Sequence, residues 1–322
     1  MIAALVAFAE MNLAAATAII GVLTMRRHVH RLMGPGAAYL LWAVVPAAMV
    51  ATLIPARTIV VSVPVASLSG LPWSDAIPPL AAGILGMIWA AGALATIAVM
   101  VLRQYLFLRD ASLGLAGPAV IGFLKPRIVT PGDFTTRFSA IEQKLILEHE
   151  QVHLERHDAR INAAVALARC VMWFNPLVHL GAKALRADQE ASCDAAVIEN
   201  RPRARRIYAE TLLKTQMETR PLPVGCYWPA EDVHPLTERI GMLTRAPFSH
   251  RRRLAAAGAV LALVGGGGVT AWAAQPARQV LAEAKAAEVV WVSPLLGGPE
   301  LLVQINAISP GPPPDPGAPP GQ

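Results

Sequence analysis

Four long apolar runs, separated by polar and often basic segments, dominate the pattern of hydrophobic and polar positions along the chain. Each run is close to the length of about 20 residues that a helix needs to cross the hydrocarbon core of a bilayer. The pattern therefore predicts a mostly α-helical, polytopic membrane protein with four transmembrane helices. The predicted spans are residues 1–25, 37–55, 80–102 and 254–274.

The longest polar part of the chain lies between the third and fourth apolar runs. Two short apolar runs within residues 117–131, separated by Leu-Lys-Pro and bounded by Gly and Pro, predict a small β-hairpin. Its exposed edge either holds an extended substrate by strand addition or serves only to pack the domain. Ser139 is typical of a helix N-cap. After that helix, we predict an apolar helix over 161–180 and another that starts near Leu177.

Composition supports a membrane protein over a soluble one. The chain is 54% hydrophobic and only 16% charged, whereas a soluble domain carries about a quarter charged residues. The net charge is +6, which could indicate nucleic-acid binding. Because the basic residues flank apolar runs, we explain them instead by the position of these runs in a membrane. The three cysteines include no CxxC pair, which argues against a cysteine zinc site or a disulfide framework.

The basic residues also predict the orientation of the chain in the membrane. Arginines follow the first and third runs, whereas the loop between the second and third runs contains only Arg57. By the positive-inside rule, the N-terminus and the C-terminal tail are outside and the central domain is cytoplasmic. The predicted parts are a three-span region over 1–104, a cytoplasmic domain with a small β element over 105–250, a fourth span over 251–274 and a Pro/Gly-rich tail over 275–322.

Two features near the ends of the chain have more than one interpretation. Glu10 is either a functional carboxylate within the first span or a residue near the outer interface. The small residues that end at Ala273 also match a cleavage site, so cleavage after Ala273 is an alternative to an intact fourth span. In the tail, we expect brief strands at 288–292 and 301–303 and a disordered end after residue 310.

The chemistry is concentrated in the segment His149-Glu150-Gln151-Val152-His153. On a helix, a spacing of four residues puts both imidazoles on one face, where they can share a zinc ion. Glu190 is the predicted third ligand, because a catalytic zinc site takes three protein ligands and leaves one position for water. Glu150 is the predicted general base. The alternative is a surface helix with solvated His and Glu side chains.

Other polar residues of this region are assigned supporting roles. Asp194 follows Glu190 by four residues on the same helix face, so it can accept a hydrogen bond from the far nitrogen of a zinc-bound histidine. Asp158 is a second candidate for that role or for a helix cap. His157 is predicted to be a surface residue rather than a ligand. Three residues are candidates for stabilising an oxyanion, each also explained by a structural role: Tyr208, His234 and Arg239.

Four segments, 117–131, 147–158, 173–178 and 188–194, carry a resemblance to a known family. They resemble the membrane-integrated zinc peptidases of the BlaR/MecR antirepressor family, which have the gluzincin pattern of HExxH and a distant Glu. The resemblance covers roughly residues 1–245. It implies that His149, His153 and Glu190 bind Zn²⁺ and that Glu150 is the base. It also implies a transducer in the bacterial inner membrane that responds to an external signal by cleaving a cytoplasmic protein, often a transcriptional repressor.

The chain departs from the β-lactam-sensing relatives after the fourth predicted span. The tail over 275–322 contains no Ser-x-x-Lys acylation motif, so we expect no penicillin-binding sensor domain and no covalent β-lactam sensing there. The expected partners are a protein substrate (a repressor or the chain itself), the lipid bilayer and an external sensor protein, with no direct contact to nucleic acid. Two alternative functions are a membrane quality-control zinc protease and a non-catalytic receptor or scaffold that keeps zinc for structure.

Overall fold

The structure, a computed structural model, consists mainly of helices that enclose one polar centre. It describes residues 2–56, 58–60, 79–115, 117–123, 125–216, 234–243, 249–275, 278–283 and 301–305. The helices are α1 Ile2–Met33, α2 Pro35–Leu41, α3 Val44–Ala51, α4 Pro79–Ser112, α5 Phe134–Arg137, α6 Ala140–Glu155, α7 Asp158–Val171, α8 Pro176–Asn200, α9 Arg205–Gln216, α10 His234–Leu243 and α11 His250–Ala273. The strands are β1 Thr58–Val60, β2 Ala119–Ile121, β3 Arg127–Val129, β4 Arg278–Glu283 and β5 Leu301–Ile305.

Three helices of the described residues are long and apolar enough to cross a membrane: Ala7–Met33, Leu80–Ser112 and Arg251–Ala273. They correspond to the first, third and fourth predicted spans. The second predicted span, residues 37–55, overlaps Pro35–Ala51, a shorter apolar segment. This segment consists of two helices, α2 and α3. Because Pro46 has no N–H to bond the Trp42 carbonyl, the helix is interrupted at residues 42 and 43.

The apolar helices share a core with the central domain. The buried residues of this core come from α1, α2, α8 and α11, together with the side chains of Trp42, which follows α2, and Met172, which follows α7. Close approach of α1 to α8 requires Gly181, because a Cβ atom at that position would lie 3.2 Å from Ile19 Cγ2. The N-terminal helices are therefore packed directly on the helix that supplies Glu190.

The glycine tract of α11 lies where that helix packs against α3. A Cβ atom on Gly267 would lie 3.1 Å from Val44 Cγ1, and one on Gly268 would lie 3.9 Å from the Ala47 side chain. Glycine is intrinsically unfavourable in a helix, but here the absence of a side chain lets the two backbones approach each other. The sequence pattern alone gave no reason for this tract.

The predicted hairpin is confirmed as the antiparallel pair β2 and β3, with Val120 opposite Ile128. The turn requires Gly122, which has φ of 94° and whose added Cβ would lie 2.6 Å from the Lys125 carbonyl oxygen. A second, parallel sheet has the order β1-β4-β5. The predicted strand at 301–303 is confirmed within β5, whereas 288–292 and the end after residue 310 lie outside the described residues.

Local signals set the start of the helices around the polar centre. Ser139 caps α6, and its hydroxyl and the Glu142 carboxylate form a reciprocal capping box. The prediction of one continuous helix over 161–180 is wrong: α7 ends at Val171 and α8 begins at Pro176. The break occurs because the Asn175 side chain accepts a hydrogen bond from the Leu177 amide, at 3.0 Å, and begins a new helix.

Candidate metal centre

The structure brings the three predicted ligands together. His149 and His153 are buried and lie one turn apart on α6, and Glu190 projects from α8. The two Nε2 atoms are 3.1 Å apart. Glu190 Oε2 lies 3.1 Å from His149 Nε2, and its Oε1 lies 3.5 Å from His153 Nε2. Two imidazoles and one carboxylate therefore converge on a common point.

The donor set fits a zinc ion. Zinc–nitrogen and zinc–oxygen bonds are about 2.0–2.2 Å long, so two donors of one tetrahedral ion stand roughly 3.4 Å apart. The three observed separations, 3.1, 3.1 and 3.5 Å, lie close to that value. Three ligands of this kind, with a fourth position for water, are the set that catalytic zinc sites use.

Each histidine is oriented by a partner on its other ring nitrogen. His153 Nδ1 lies 2.7 Å from Asp158 Oδ2. His149 Nδ1 lies 2.8 Å from the Tyr208 hydroxyl and 3.3 Å from Asp194 Oδ1. Asp158 and Asp194 thus each lie beside the Nδ1 atom of one of the two histidines. With Nδ1 held in this way, each ring presents Nε2 to the common point.

Two arginines contact the carboxylates of Glu190 and Asp194. Neither contact was predicted from the sequence. Arg239 donates to both oxygens of Asp194, at 2.7 and 2.8 Å, and its guanidinium lies 3.4 Å from Glu190 Oε2. Arg186 lies 2.7 Å from Glu190 Oε1, one turn away on α8. The i to i+4 spacing of Arg186 and Glu190 was a visible signal. Arg239, from α10, is one of the predicted oxyanion candidates, and its contacts with the two carboxylates could be identified only from the fold.

These contacts shift the pKa values of the ionisable groups of the site. Burial disfavours charge on each group, but the carboxylates of Asp194 and Glu190 raise the pKa of His149 to about 9. Burial likewise opposes ionisation of Asp194, yet Arg239 lowers its pKa to about 2. Arg186 and Arg239 lower the pKa of Glu190 well below its ordinary value against the effect of burial. Both carboxylates are therefore ionised at neutral pH.

Glu150, the predicted general base, lies beside His149 on α6 and is partly exposed. The three residues predicted as oxyanion candidates lie in different surroundings. Tyr208 is buried and directs its hydroxyl to His149 Nδ1 and Asp194. The Arg239 guanidinium contacts the carboxylates of Asp194 and Glu190. The side chain of His234 lies outside the described side chains. His157 is exposed at the turn between α6 and α7, with φ of 58°, as predicted for a surface residue.

Cys193 lies next to the site without joining it. Its Sγ atom is 3.4 Å from His153 Nδ1, the nitrogen that faces away from Glu190. Burial raises the pKa of the Cys193 thiol above its ordinary value. Cys193 and Cys170 are both free, and Cys226 lies outside the described residues.

A second polar cluster, which the sequence did not reveal, joins α8 to the N-terminal helices. Asp188 is fully buried, with 0% of its surface exposed. Arg26 donates to it at 2.7–3.2 Å, His30 Nε2 lies 2.6 Å away, and the Trp42 indole donates at 2.7 Å. Burial raises the pKa of Asp188, but His30 and Arg26 outweigh it and lower the value.

Comparison with known proteins agrees with this centre. The model of the family described as BlaR1 peptidase M56 matches residues 6–114 and 110–243, which is most of the chain. The regulatory protein BlaR1 of Bacillus licheniformis is 38% identical over 101 residues, 31% of this chain and 17% of that relative. The methicillin resistance mecR1 protein of Staphylococcus aureus is 30% identical over 104 residues, 32% of this chain and 18% of the relative.

The matched part thus spans less than a fifth of the length of either curated relative. No solved structure matches the chain.

Proposed function

Because the chain belongs to the BlaR1 peptidase M56 family, we propose that it is a membrane-embedded zinc metalloendopeptidase that cleaves a cytoplasmic protein in response to an external signal. The single observation that carries the proposal is the convergence of His149, His153 and Glu190 within hydrogen-bonding distance of one another. The substrate is proposed to be a transcriptional repressor or the chain itself. The chain is a bacterial membrane protein, and we assign it to the inner membrane.

In this proposal His149, His153 and Glu190 hold Zn²⁺, which when bound would acidify water and polarise the scissile carbonyl. Asp158 and the Tyr208–Asp194 pair keep the two imidazoles in place from behind. Arg186 and Arg239 keep Glu190 ionised, so that it is available as a ligand.

Glu150 acts as the proton carrier. Its carboxylate accepts a proton from the attacking water and delivers it to the leaving amine, so that the peptide bond breaks without releasing an unstable amide anion. A carboxylate next to a ligand, partly exposed, has access to both water and substrate. A site that held zinc only for structure would not need this group, which disfavours the scaffold alternative.

The proposed topology places the catalytic domain, residues 105–250, on the cytoplasmic side. The basic end of α1 contacts α8 through Arg26 and His30, so this end and the domain share one side of the bilayer. By the positive-inside rule that side is the cytoplasm. The pairing of β1 with β4 supports a common location for the loop after α3 and the tail after α11, which we assign to the outside.

The test is Glu150→Gln in the full-length chain, with Glu155→Gln as the matched control. Glu155 is an exposed residue of the same helix, so the control repeats the same change of acid to amide away from the ligands. We expect both variants to retain the wild-type zinc content. Glu150→Gln should lose cleavage by about 10²-fold or more, whereas Glu155→Gln should cleave normally. Undiminished cleavage by Glu150→Gln contradicts the assigned base.

The substrate can be sought by comparing the proteomes of cells that carry wild type or Glu150→Gln. Accumulation of one cytoplasmic protein in the variant supports a dedicated transducer. Accumulation of many unrelated membrane proteins instead supports the quality-control protease. Metal analysis of the purified chain, paired with a protease assay, separates both enzymes from a non-catalytic receptor or scaffold that keeps zinc for structure.

A further inference from the structure

The side chain of Tyr39 connects the N-terminal membrane region to the metal centre. Tyr39 belongs to α2, in the short apolar segment Pro35–Ala51. Its hydroxyl donates to Asp158 Oδ1 at 2.7 Å and accepts from Gln189 Nε2 at 3.1 Å. Asp158 uses its other oxygen, Oδ2, for His153 Nδ1, at 2.7 Å.

We propose that Tyr39 is a positioning residue of the metal centre, which acts through Asp158 on His153 and thereby makes α2 part of the site. This inference rests on the proposed zinc peptidase. A carboxylate that orients a metal-bound histidine must itself be fixed. Asp158 begins α7, just after the exposed turn at His157. The Tyr39 hydroxyl donates a hydrogen bond that holds its carboxylate from α2.

The second partner of Tyr39 leads to the remaining ligand. Gln189 is fully buried, with 0% exposure, and its side-chain oxygen accepts from Arg186 Nη1 at 3.3 Å. Arg186 in turn contacts Glu190 Oε1 at 2.7 Å. The tyrosine hydroxyl therefore lies between one chain of contacts that ends at His153 and another that ends at Glu190. A displacement of α2 changes both.

The ring of Tyr39 has a separate structural role, which the test must preserve. The Arg156 guanidinium lies 4.2 Å from the ring centroid, a cation–π distance. Replacing Tyr39 by Phe keeps the ring and removes only the hydroxyl. Trp42→Phe is the matched control, because it also removes one buried donor that joins α2 to α8, in this case to Asp188, without touching the chain that leads to His153.

The experiment measures the Zn²⁺ affinity of the full-length chain by competition with a chelator. We expect Asp158→Asn to weaken binding about 10- to 100-fold, as is usual for the loss of an outer partner. Tyr39→Phe should weaken it about 3- to 10-fold, because one more hydrogen bond separates it from the ligand. Trp42→Phe should leave the affinity unchanged. With Co²⁺ at saturation, only the first two variants should alter the ligand-field spectrum.

A double-mutant cycle tests the route. If Tyr39 acts through Asp158, Tyr39→Phe should add little further loss of affinity in the Asp158→Asn background. If Tyr39→Phe lowers the Zn²⁺ affinity equally in the wild-type and Asp158→Asn backgrounds, the route through Asp158 is overturned. The route is also overturned if Tyr39→Phe and Trp42→Phe lower the affinity by the same factor. Unchanged affinity in Tyr39→Phe overturns the inference but leaves the peptidase intact. Failure of the wild-type chain to bind zinc overturns the proposed function itself.

Discussion

Replacing Asp188 by Asn should loosen the packing of the N-terminal helices on α8. The carboxylate is buried and receives hydrogen bonds from Arg26, His30 and Trp42. An amide of the same shape carries no charge and presents an NH₂ group to donors, so the partly buried Arg26 guanidinium loses its counter-charge. Breaking a buried ion pair by removing one partner costs about 3–5 kcal/mol. At about 2–4 °C per kcal/mol, the melting temperature should fall by roughly 6–20 °C.

The assay is thermal unfolding of the full-length chain in detergent, followed by circular dichroism, with limited proteolysis of α1 and α2 as a local readout. Glu148→Gln is the matched control, because it makes the same change of acid to amide in the partly exposed pair with Arg201. Such a pair contributes about 0–1 kcal/mol. A melting temperature for Asp188→Asn no lower than that of Glu148→Gln would refute the assignment of Asp188 as the main polar contact between these helices.

Two further predictions concern the packing of α4 and the start of α6. A Cβ atom on Gly92 would lie 2.1 Å from Trp173 Cε2, whereas one on Gly86 would meet nothing within 4 Å. Gly92→Ala should therefore destabilise by about 1–3 kcal/mol and Gly86→Ala should be neutral or slightly stabilising, as thermal melts of the pair will reveal; equal effects would contradict the contact. Burial raises the pKa of Glu142, but Ser139 and Lys214 outweigh burial and lower it. The Glu142 carboxylate therefore contributes its full stabilisation above the pKa of the unfolded chain, about 4.3. That stabilisation is lost as the pH falls through the lower pKa of the folded chain. Gln can also complete a capping box, so Glu142→Gln removes mainly the charge at the start of α6 and should cost about 0.3–1 kcal/mol at neutral pH. This cost should disappear in acid, as denaturation at several pH values will test; a cost that does not change with pH would contradict the role of the charge.

The sequence predicted well those features that depend on residues close together in the chain. Ser139 predicted the start of α6, and the spacing of His149 and His153 predicted their common face, because helix capping and helix period act over three or four residues. Three of the four predicted spans correspond to long apolar helices among the described residues, for the same reason. Glu190 could be added because zinc chemistry requires a third donor of that kind.

Features that depend on contacts between distant residues could not be predicted in this way. Arg26 and Asp188 are 162 residues apart in the chain, and Tyr39 and Asp158 are 119 apart. No local period links such pairs, and only the packing of α1 and α2 on α8 brings them together. The division of the second apolar run was missed for a different reason. The run is apolar enough to be predicted as a membrane span. Composition does not show that Pro46 removes a backbone hydrogen bond and thereby interrupts the helix.

The interruption between α2 and α3 also has a consequence for the lipid around the protein. The segment Pro35–Ala51, at 1.5 Å per residue, reaches only about 26 Å, less than the roughly 30 Å of a hydrocarbon core. Hydrophobic mismatch of this size is relieved when lipids thin locally beside the short element. The headgroups next to α2 would then lie nearer the bilayer midplane than those around α4, so that water and a substrate chain would have a shorter path to the candidate metal centre.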